Sequence, residues 1–238
     1  AIMKLERSAL AECIAVETGK PMKDAIAEVN AAILQAEFFS GEGMRLYSRT
    51  LTSGMPGKYT NSVRQSLGIA ALIVPANTPI ANIAWKTFPA LICGNSVILK
   101  ASEDSPSIAI LFAKLTKRAG LPDGVFNVLQ GNGKTTGSLL VEDPKIAVIS
   151  FTGSTSVGRW IAEVAAKRLT RVSLELGGKN PTIIFDDCDF EDALTTTVRS
   201  SFANQGQICL CSSRILIEDS LYDRFKTALV EKVARMRV

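Results

Sequence analysis

The chain contains no histidine among its 238 residues. Ser/His/Asp triads, Cys/His nucleophile pairs and zinc sites that depend on histidine ligands therefore cannot be built from it. A cysteine that acts as a nucleophile here would need a carboxylate or a lysine as its proton acceptor. The absence of one residue type thus excludes several common classes of hydrolase and metal site.

Long apolar runs and blocks of basic charge are also missing. The longest apolar candidate, residues 79–93, is interrupted by Lys86 and falls short of the roughly 18 residues that a membrane span needs. The formal charge is +4, but basic and acidic residues are interleaved, without the arginine-rich block or basic-aromatic stripe of a nucleic-acid-binding protein. We therefore predict neither a membrane nor a nucleic acid as a partner.

Cysteine is present but follows no disulfide pattern. The five cysteines are odd in number and match no disulfide spacing, which predicts a reducing and hence cytoplasmic location. Cys209-Leu210-Cys211 invites a metal or redox interpretation. Without histidine or a second cysteine pair, a tetrahedral zinc site lacks ligands, and we predict no metal. The other cysteines are Cys13, Cys93 and Cys188.

The composition and the first third of the chain favour a globular protein that begins with helices. An apolar content of 47% over 238 residues is ample for the core of one large domain or two small ones. Residues 1–48 carry apolar side chains at helical spacing, broken at Gly19-Lys20-Pro21, which predicts two helices. Residues 49–66 are polar and contain glycine and proline, which predicts a strand or hairpin excursion.

From residue 67 onwards, strand-like apolar runs alternate with segments of helix length. Such alternation predicts an α/β fold, with a doubly wound parallel sheet covered by helices on both faces. Residues 67–174 form the first series, and a shorter series over 175–238 predicts the start of a second α/β domain. The predicted strands are 69–74, 96–99, 125–129, 147–151, 172–174, 182–185 and 215–217. Helices are predicted over 190–203 and 221–236.

Two short segments carry residues suited to chemistry. The segment 174–179 (L-E-L-G-G-K) places the Glu175 carboxylate beside paired glycines, and the segment 202–209 (F-A-N-Q-G-Q-I-C) ends on the Cys209 thiol. We expect each to lie in a glycine-flanked turn next to a strand. Taken alone, Glu175 suits a surface charge and Cys209 a small buried hydrophobe.

Together the two segments resemble the paired signature of the aldehyde dehydrogenase superfamily. Three upstream segments agree with that family in order and approximate spacing: 75–79 (P-A-N-T-P), 100–103 (K-A-S-E) and 151–155 (F-T-G-S-T). The resemblance runs nearly from end to end. It implies a Rossmann-like dinucleotide-binding domain followed by the first part of a catalytic domain, and it implies that the chain is the central portion of a longer protein.

The resemblance implies catalytic roles for three residues. Cys209 would be the nucleophile, Glu175 the general base and Asn77 an amide donor to the oxyanion. A carboxylate that acts as a general base needs a pKa raised towards neutrality, so we expect Glu175 to be buried. From its own surroundings Asn77 suits a proline-flanked turn equally well. Ala76 departs from the commoner pattern, in which an aromatic residue precedes the asparagine, so nothing about a substrate tunnel is inferred from this segment.

Cofactor contacts are implied for a further set of residues. Lys100 and Glu103 follow a strand at the edge where open α/β sheets bind ligands, and they would hold the adenosine ribose. As isolated residues they suit a solvated ion pair. A carboxylate there repels a 2′-phosphate, which favours NAD over NADP. The other implied contacts are Gly133, Gly153, Ser154, Gly158 and Leu176.

Local alternatives exist for two of these turns. The stretch 151–158 joins a strand to a helix, so a Ser/Thr N-cap explains it without a ligand. The stretch 131–135 (G-N-G-K-T) invites a P-loop interpretation, but the glycine that a P-loop needs five positions before Gly133 is Val128. A strand-to-helix turn that touches a cofactor remains the prediction there.

The resemblance implies an enzyme that oxidises an aldehyde to a carboxylic acid with NAD(P) through a cysteine thioester. Two alternatives stay open. One is an acylating relative that transfers the thioester to coenzyme A, which Glu175 disfavours. The other is a catalytically silent nucleotide-binding or assembly protein, which Cys209, Glu175 and Asn77 disfavour. The resemblance also implies a homodimer or homotetramer, in which residues 49–66 contribute to the contact between subunits. Residues 1–238 alone are expected to be inactive.

Overall fold

The computed structural model describes residues 1–236. Its N-terminal part is helical and leads into an antiparallel hairpin, as the sequence predicts. The break between the two main helices falls at Gly19, whose φ of 71° ends the first, and at Pro21, which precedes the second. The elements are α1 (Ile2–Leu5), α2 (Arg7–Thr18), α3 (Met22–Glu42), β1 (Thr50–Thr52) and β2 (Tyr59–Asn61).

Alternating strands and helices follow, with strand positions within a few residues of those predicted. The strands are β3 (Ile69–Ile73), β4 (Ser96–Lys100), β5 (Phe126–Leu129), β6 (Ile146–Gly153) and β7 (Arg171–Leu176). The helices between them are α4 (Pro79–Ile92), α5 (Pro106–Arg118), α6 (Ser138–Glu142) and α7 (Thr155–Ala166). A short π-helical turn, Gly133–Gly137, precedes α6.

These strands form one five-stranded sheet in the order β5-β4-β3-β6-β7, with every pair parallel. The chain builds outwards from β3 through β4 to β5, and then returns to add β6 and β7 on the other side of β3. This reversal places a topological switch point between β3 and β6. In open α/β sheets, ligands bind outside the carboxyl ends of the strands at such a point.

Helices cover both faces of the sheet, which confirms the predicted doubly wound α/β class. On one face, α4 and α5 pack on the strands and bury Ile83 and Phe112 in one cluster with Leu72 and Leu99. α2 and α3 lie against α5 and α4 and extend that cluster outwards. On the other face, α6 and α7 pack against the opposite side of β6. Each large apolar side chain that is fully buried in this way contributes about 1.5–3 kcal/mol to stability.

Two carboxylates of the N-terminal helices attach them to the sheet domain. Glu17 of α2 accepts hydrogen bonds from the backbone N–H groups of Ser107, at 2.6 Å, and Ile108, at 3.0 Å, in the first turn of α5. Glu28 of α3 accepts from the N–H of Ala81 in the first turn of α4. A negative charge at these positions satisfies orphan donors and complements the helix dipole.

A second, smaller unit follows the five-stranded sheet. It contains β8 (Asn180–Ile184), α8 (Phe190–Phe202), β9 (Ser212–Ile217) and α9 (Asp219–Ala234). β8 and β9 pair in parallel, and the two helices bury Leu194 and Phe225 against Ile184. Of the segment 175–238 assigned to a second domain, Arg237 and Val238 lie outside the described residues. Within residues 1–236, no helix combines the length and the apolarity that crossing a bilayer requires.

Candidate active site

Asn77 lies in the turn between β3 and α4, at the switch point of the sheet, and its side chain reaches the cysteine-bearing loop. Its Nδ2 donates a hydrogen bond of 2.6 Å to the carbonyl oxygen of Gln207. Its Oδ1 accepts from the backbone N–H of Thr78 at 2.9 Å, which fixes the orientation of the amide. The structure thus brings the predicted oxyanion donor against the segment that leads to Cys209.

The loop before Cys209 has an unusual backbone. Asn204, Gln205 and Gly206 follow one another at φ values of 51°, 61° and 71°, in the left-handed region that non-glycine residues seldom adopt. Asn204 is buried, and its Nδ2 donates to the backbone carbonyl of Asn77 at 3.0 Å. Strained backbone of this kind persists only where surrounding contacts hold it, and it is common at functional sites.

Cys209 is exposed, so its thiol is accessible and is not the small buried hydrophobe that the local pattern allows. Its carbonyl oxygen accepts a hydrogen bond of 2.6 Å from Nδ2 of Asn180, at the start of β8. Cys211 is buried, with its sulfur 3.7 Å from the carbonyl of Ala203. Sequence reasoning missed Asn180, because its role depends on a partner far along the chain.

Glu175 lies within β7, paired in register with Thr152 of β6. The prediction that it sits in a glycine-flanked turn is therefore wrong, because the ladder with β6 continues to Leu176 before the glycines begin. The expectation of a buried carboxylate is also wrong, since Glu175 is exposed. Within residues 1–236 no hydrogen bond joins Glu175, on the edge strand β7, to Cys209.

Lys86 is a buried cation that sequence reasoning considered only as an interruption of an apolar run. It projects from α4, is 8% exposed, and donates from Nζ to Oγ of Ser150 on β6 at 2.9 Å. Burial lowers the pKa of Lys86 to about 8, and the negative charge of Glu175 partly opposes that shift. The signal in the sequence was a single lysine on an otherwise apolar helix.

A cleft of about 730 Å³ opens at the carboxyl ends of the strands. Five of the seven residues implied in cofactor binding line it, namely Lys100, Glu103, Gly133, Gly153 and Ser154. Gly158 and Leu176 are not among the lining residues. A Cβ added to Gly158 would come within 2.5 Å of Cδ2 of Leu176, so the glycine allows α7 to pack closely on the end of β7.

Lys100 and Glu103 form an ion pair in this cleft, with 2.9 Å between Nζ and Oε2. Oε1 of Glu103 accepts a longer hydrogen bond, 3.3 Å, from the backbone N–H of Gly133. The hydrogen bond from Lys100 holds the pKa of Glu103 below its usual value, so the carboxylate stays ionised at neutral pH. The lysine is buried while 49% of the Glu103 side chain is exposed, which leaves carboxylate surface free for a ligand.

The first turn of α7 forms the opposite wall. Oγ of Ser154 accepts from the N–H of Val157 at 3.4 Å, so Ser154 is the N-cap that the local alternative describes. The cap satisfies one donor and leaves other backbone N–H groups of the first turn for an anion. Trp160 and Ile161 also line the cleft and add apolar surface to it.

These walls fit a dinucleotide. A carboxylate suits ribose hydroxyls, a helix N-terminus suits a pyrophosphate, and apolar side chains suit the face of a base. Lys100 and Glu103 would hold the ribose, and Ser154 and Gly153 would lie nearest the phosphates.

Comparison with known proteins gives one consistent family. A model of the aldehyde dehydrogenase family matches residues 1–238. The succinate-semialdehyde dehydrogenase [NADP(+)] GabD of Escherichia coli (strain K12) is 38% identical over 237 residues, which are 100% of this chain and 49% of that protein. The 2-aminomuconic semialdehyde dehydrogenase of Mus musculus is 41% identical over 211 residues, 89% of this chain and 43% of that protein. The chain spans about half the length of the curated relatives that it matches.

Solved structures agree with these relatives. An NADP-dependent enzyme of E. coli superimposes with a TM-score of 0.95 at 38% identity, covering 99% of this chain and 49% of that one. The betaine aldehyde dehydrogenase of Staphylococcus aureus, in complex with NAD⁺, gives a TM-score of 0.96 at 33% identity, covering 99% of this chain and 47% of that one. The family resemblance and the Rossmann-like fold expected from the sequence are thereby confirmed.

Proposed function

Because the chain belongs to the aldehyde dehydrogenase family, we propose that the complete protein oxidises an aldehyde to a carboxylic acid with NAD(P)⁺ through a thioester on Cys209. The observation that carries this proposal is the contact between Asn77 and Gln207. It sets an amide donor beside an exposed cysteine at the switch point, next to a cleft suited to a dinucleotide.

The first step is attack of the Cys209 thiolate on the aldehyde carbon. A C–S bond forms, and the electrons of the C=O bond move to oxygen, which becomes an oxyanion. The Asn77 amide has two N–H donors, and Gln207 occupies one of them. The second can serve the oxyanion together with the backbone N–H of Cys209, and one such donor is commonly worth about 3–4 kcal/mol.

The second step re-forms the C=O bond and expels a hydride with both electrons of the C–H bond. Bound NAD(P)⁺ supplies the acceptor for that hydride. The product on the protein is a thioester of Cys209. We assign Glu175 the removal of a proton from water, whose oxygen then attacks the thioester. The C–S bond breaks, the acid leaves, and the thiolate is restored.

NAD is the preferred cofactor in this proposal. The ionised Glu103 carboxylate would accept hydrogen bonds from a free ribose and would repel a 2′-phosphate. The family as a whole uses both dinucleotides: the E. coli relative is named for NADP(+), and the S. aureus structure contains NAD⁺. NAD⁺ and NADP⁺ therefore have to be compared directly as cofactors of this protein.

A small semialdehyde is the substrate class that we propose to test first. Relatives at 37–41% identity are named as succinate-, glutarate- and 2-aminomuconic-semialdehyde dehydrogenases. Product analysis of the complete protein with a panel of semialdehydes, plain aliphatic aldehydes and aromatic aldehydes tests the reaction. We expect NADH and free acid in equal amounts. A coenzyme A thioester as the product, or no NADH with any aldehyde, would contradict the proposal.

We also propose a homodimer or homotetramer in a reducing compartment such as the cytoplasm. The β1–β2 hairpin supports association, because Leu51, Met55 and Tyr59 are 57%, 59% and 78% exposed there. The described cysteines are all unpaired, which supports a reducing location. Light scattering of the complete protein, with and without charged substitutions at Leu51 and Tyr59, tests the proposed oligomeric state. A monomer before substitution would contradict it.

A further inference from the structure

Lys20 is a buried cation in the turn between α2 and α3, and its ammonium group touches the catalytic region. The side chain has no exposed surface. Its Nζ donates to Oε2 of Glu28 at 2.6 Å and to the backbone carbonyl of Asn77 at 2.7 Å. The turn is thus joined directly to the residue proposed to stabilise the oxyanion.

Glu28 connects the same network to the helix that follows Asn77. Its second oxygen, Oε1, accepts from the backbone N–H of Ala81 in the first turn of α4 at 3.2 Å. Burial raises the pKa of Glu28, and the ammonium of Lys20 opposes that shift. The pair therefore holds the Asn77 carbonyl from one side and the start of α4 from the other.

The same turn also reaches the cysteine-bearing loop. The Asn77 carbonyl accepts a second hydrogen bond from Nδ2 of Asn204, and Nε2 of Gln205 donates to the carbonyl of Gly19 at 2.9 Å. Asn204 and Gln205 are the two non-glycine residues of the loop that have left-handed backbone. Contacts from the α2–α3 turn therefore meet the loop at its strained positions.

Packing alone does not account for this arrangement. A buried ion pair is weak evidence for stability, because apolar residues of similar volume often stabilise a protein as well or better. What an apolar pair could not supply is a donor to the Asn77 carbonyl. With donors from Lys20 and Asn204, that carbonyl fixes the peptide plane from which the Asn77 side chain projects.

We propose that Lys20, paired with Glu28, is a positioning residue that holds Asn77 and the loop 204–209 in the geometry needed for attack on the aldehyde. The inference deepens the proposed function and rests on it for its catalytic part. Lys20 touches neither substrate nor cofactor in this account, and it acts only through Asn77 and the loop.

The test is a double-mutant cycle in the complete protein. Lys20→Met alone would leave Glu28 buried and uncompensated, so Lys20→Met is combined with Glu28→Gln, whose amide oxygen can still accept from Ala81. We expect kcat to fall about 10-fold or more with little change in KM, as for an interaction that matters in the transition state. Added to Asn77→Ala, the same pair should lower kcat by clearly less, about 3-fold, because only the part of its effect that passes through the loop remains. An unchanged kcat, or full additivity, would overturn the proposal.

A second measurement needs no turnover. Hydrogen exchange of the backbone amides of residues 204–209 should be about 10-fold faster in the Lys20→Met/Glu28→Gln protein. Lys23→Met is the matched control, because Lys23 is an exposed lysine in the first turn of α3, and it should leave exchange unchanged. If the amides of residues 204–209 exchanged equally fast in the Lys20→Met/Glu28→Gln protein and in the unaltered protein, the proposal that Lys20 holds the loop would be overturned. If the unaltered protein oxidised no aldehyde, the proposed function would fail, while this measurement would still decide whether Lys20 holds the loop.

Discussion

Asn77 and Gln207 are joined by a 2.6 Å hydrogen bond from the amide Nδ2 to the backbone carbonyl, although they are far apart in the sequence. The bond links the end of the central strand β3 to the loop that carries Cys209. In the proposed mechanism this bond would orient the amide before a substrate arrives, so that the donor need not be ordered during the reaction. Preorganised donors of this kind account for much of the transition-state stabilisation in acyl chemistry.

Asn77→Ala should therefore lower kcat strongly while the protein still folds and binds the cofactor. Loss of a single oxyanion donor commonly lowers kcat by about 10²–10³. Steady-state kinetics and dinucleotide titration of the complete protein provide the measurement. Asn127→Ala, on β5 and away from the switch point, is the control and should keep normal turnover. Turnover within about 3-fold of the unaltered protein would remove Asn77 from the mechanism.

Glu103→Ser should narrow the proposed preference for NAD over NADP. The substitution removes the ionised carboxylate that would repel a 2′-phosphate, and one such charge contact changes the preference by roughly 5- to 30-fold. The ratio of kcat/KM for the two dinucleotides is the measurement. Asp104→Ser is a matched control, because Asp104 lines the same cleft but forms no ion pair with Lys100. A ratio that does not move, or that moves equally in the control, would count against a ribose role for Glu103.

Lys86→Met should change how stability depends on pH. The pKa of Lys86 is lowered to about 8 in the folded protein from 10.5, so the unfolded chain binds more protons between those values. Stability of the unaltered protein therefore gains from this group as pH rises from 8 towards 10.5, by on the order of 1–3 kcal/mol. The gain should be missing in Lys86→Met. Urea unfolding of both proteins at pH 7 and pH 9.5 measures it, and parallel pH profiles would show that the lysine titrates normally.

Gly158→Ala should destabilise the fold through a single contact. The new methyl group would come within 2.5 Å of the Leu176 side chain, which has to move out of its packing against the sheet. Overpacking of this kind costs about 1–3 kcal/mol. Gly54→Ala is the control, because a Cβ there meets nothing within 4 Å. Thermal unfolding compares the two, and the further substitution Leu176→Val should recover part of the loss. Equal stability of the two alanine variants would show that the contact is relieved without cost.

The fold could be predicted from the sequence because its signals are local. Strands of a parallel sheet give short apolar runs, and the predicted runs lay within a few residues of β3 to β9. The motif residues of the cleft could be predicted by resemblance, and the structure brings Lys100, Glu103 and Gly133 together.

What could not be predicted depends on contacts between distant parts of the chain. Glu175 was expected in a turn because glycines follow it, but its place in β7 is set by the register with β6. Lys20, Lys86 and Asn180 make their contacts with segments far along the chain. No local pattern marks such residues, apart from the isolated charge of Lys86 on an apolar helix.

The central claim, a thioester on Cys209 that Glu175 helps to hydrolyse, is tested most directly by rapid mixing of Glu175→Gln protein with an aldehyde and NAD⁺. Hydride transfer precedes hydrolysis, so we expect a burst of about one NADH per active site followed by a stall. Intact mass spectrometry should then show the acyl group on the protein, and peptide mapping should place it on Cys209. Cys209→Ala protein should give neither burst nor adduct. Steady turnover of Glu175→Gln at the rate of the unaltered protein, or a burst in Cys209→Ala, would contradict the account.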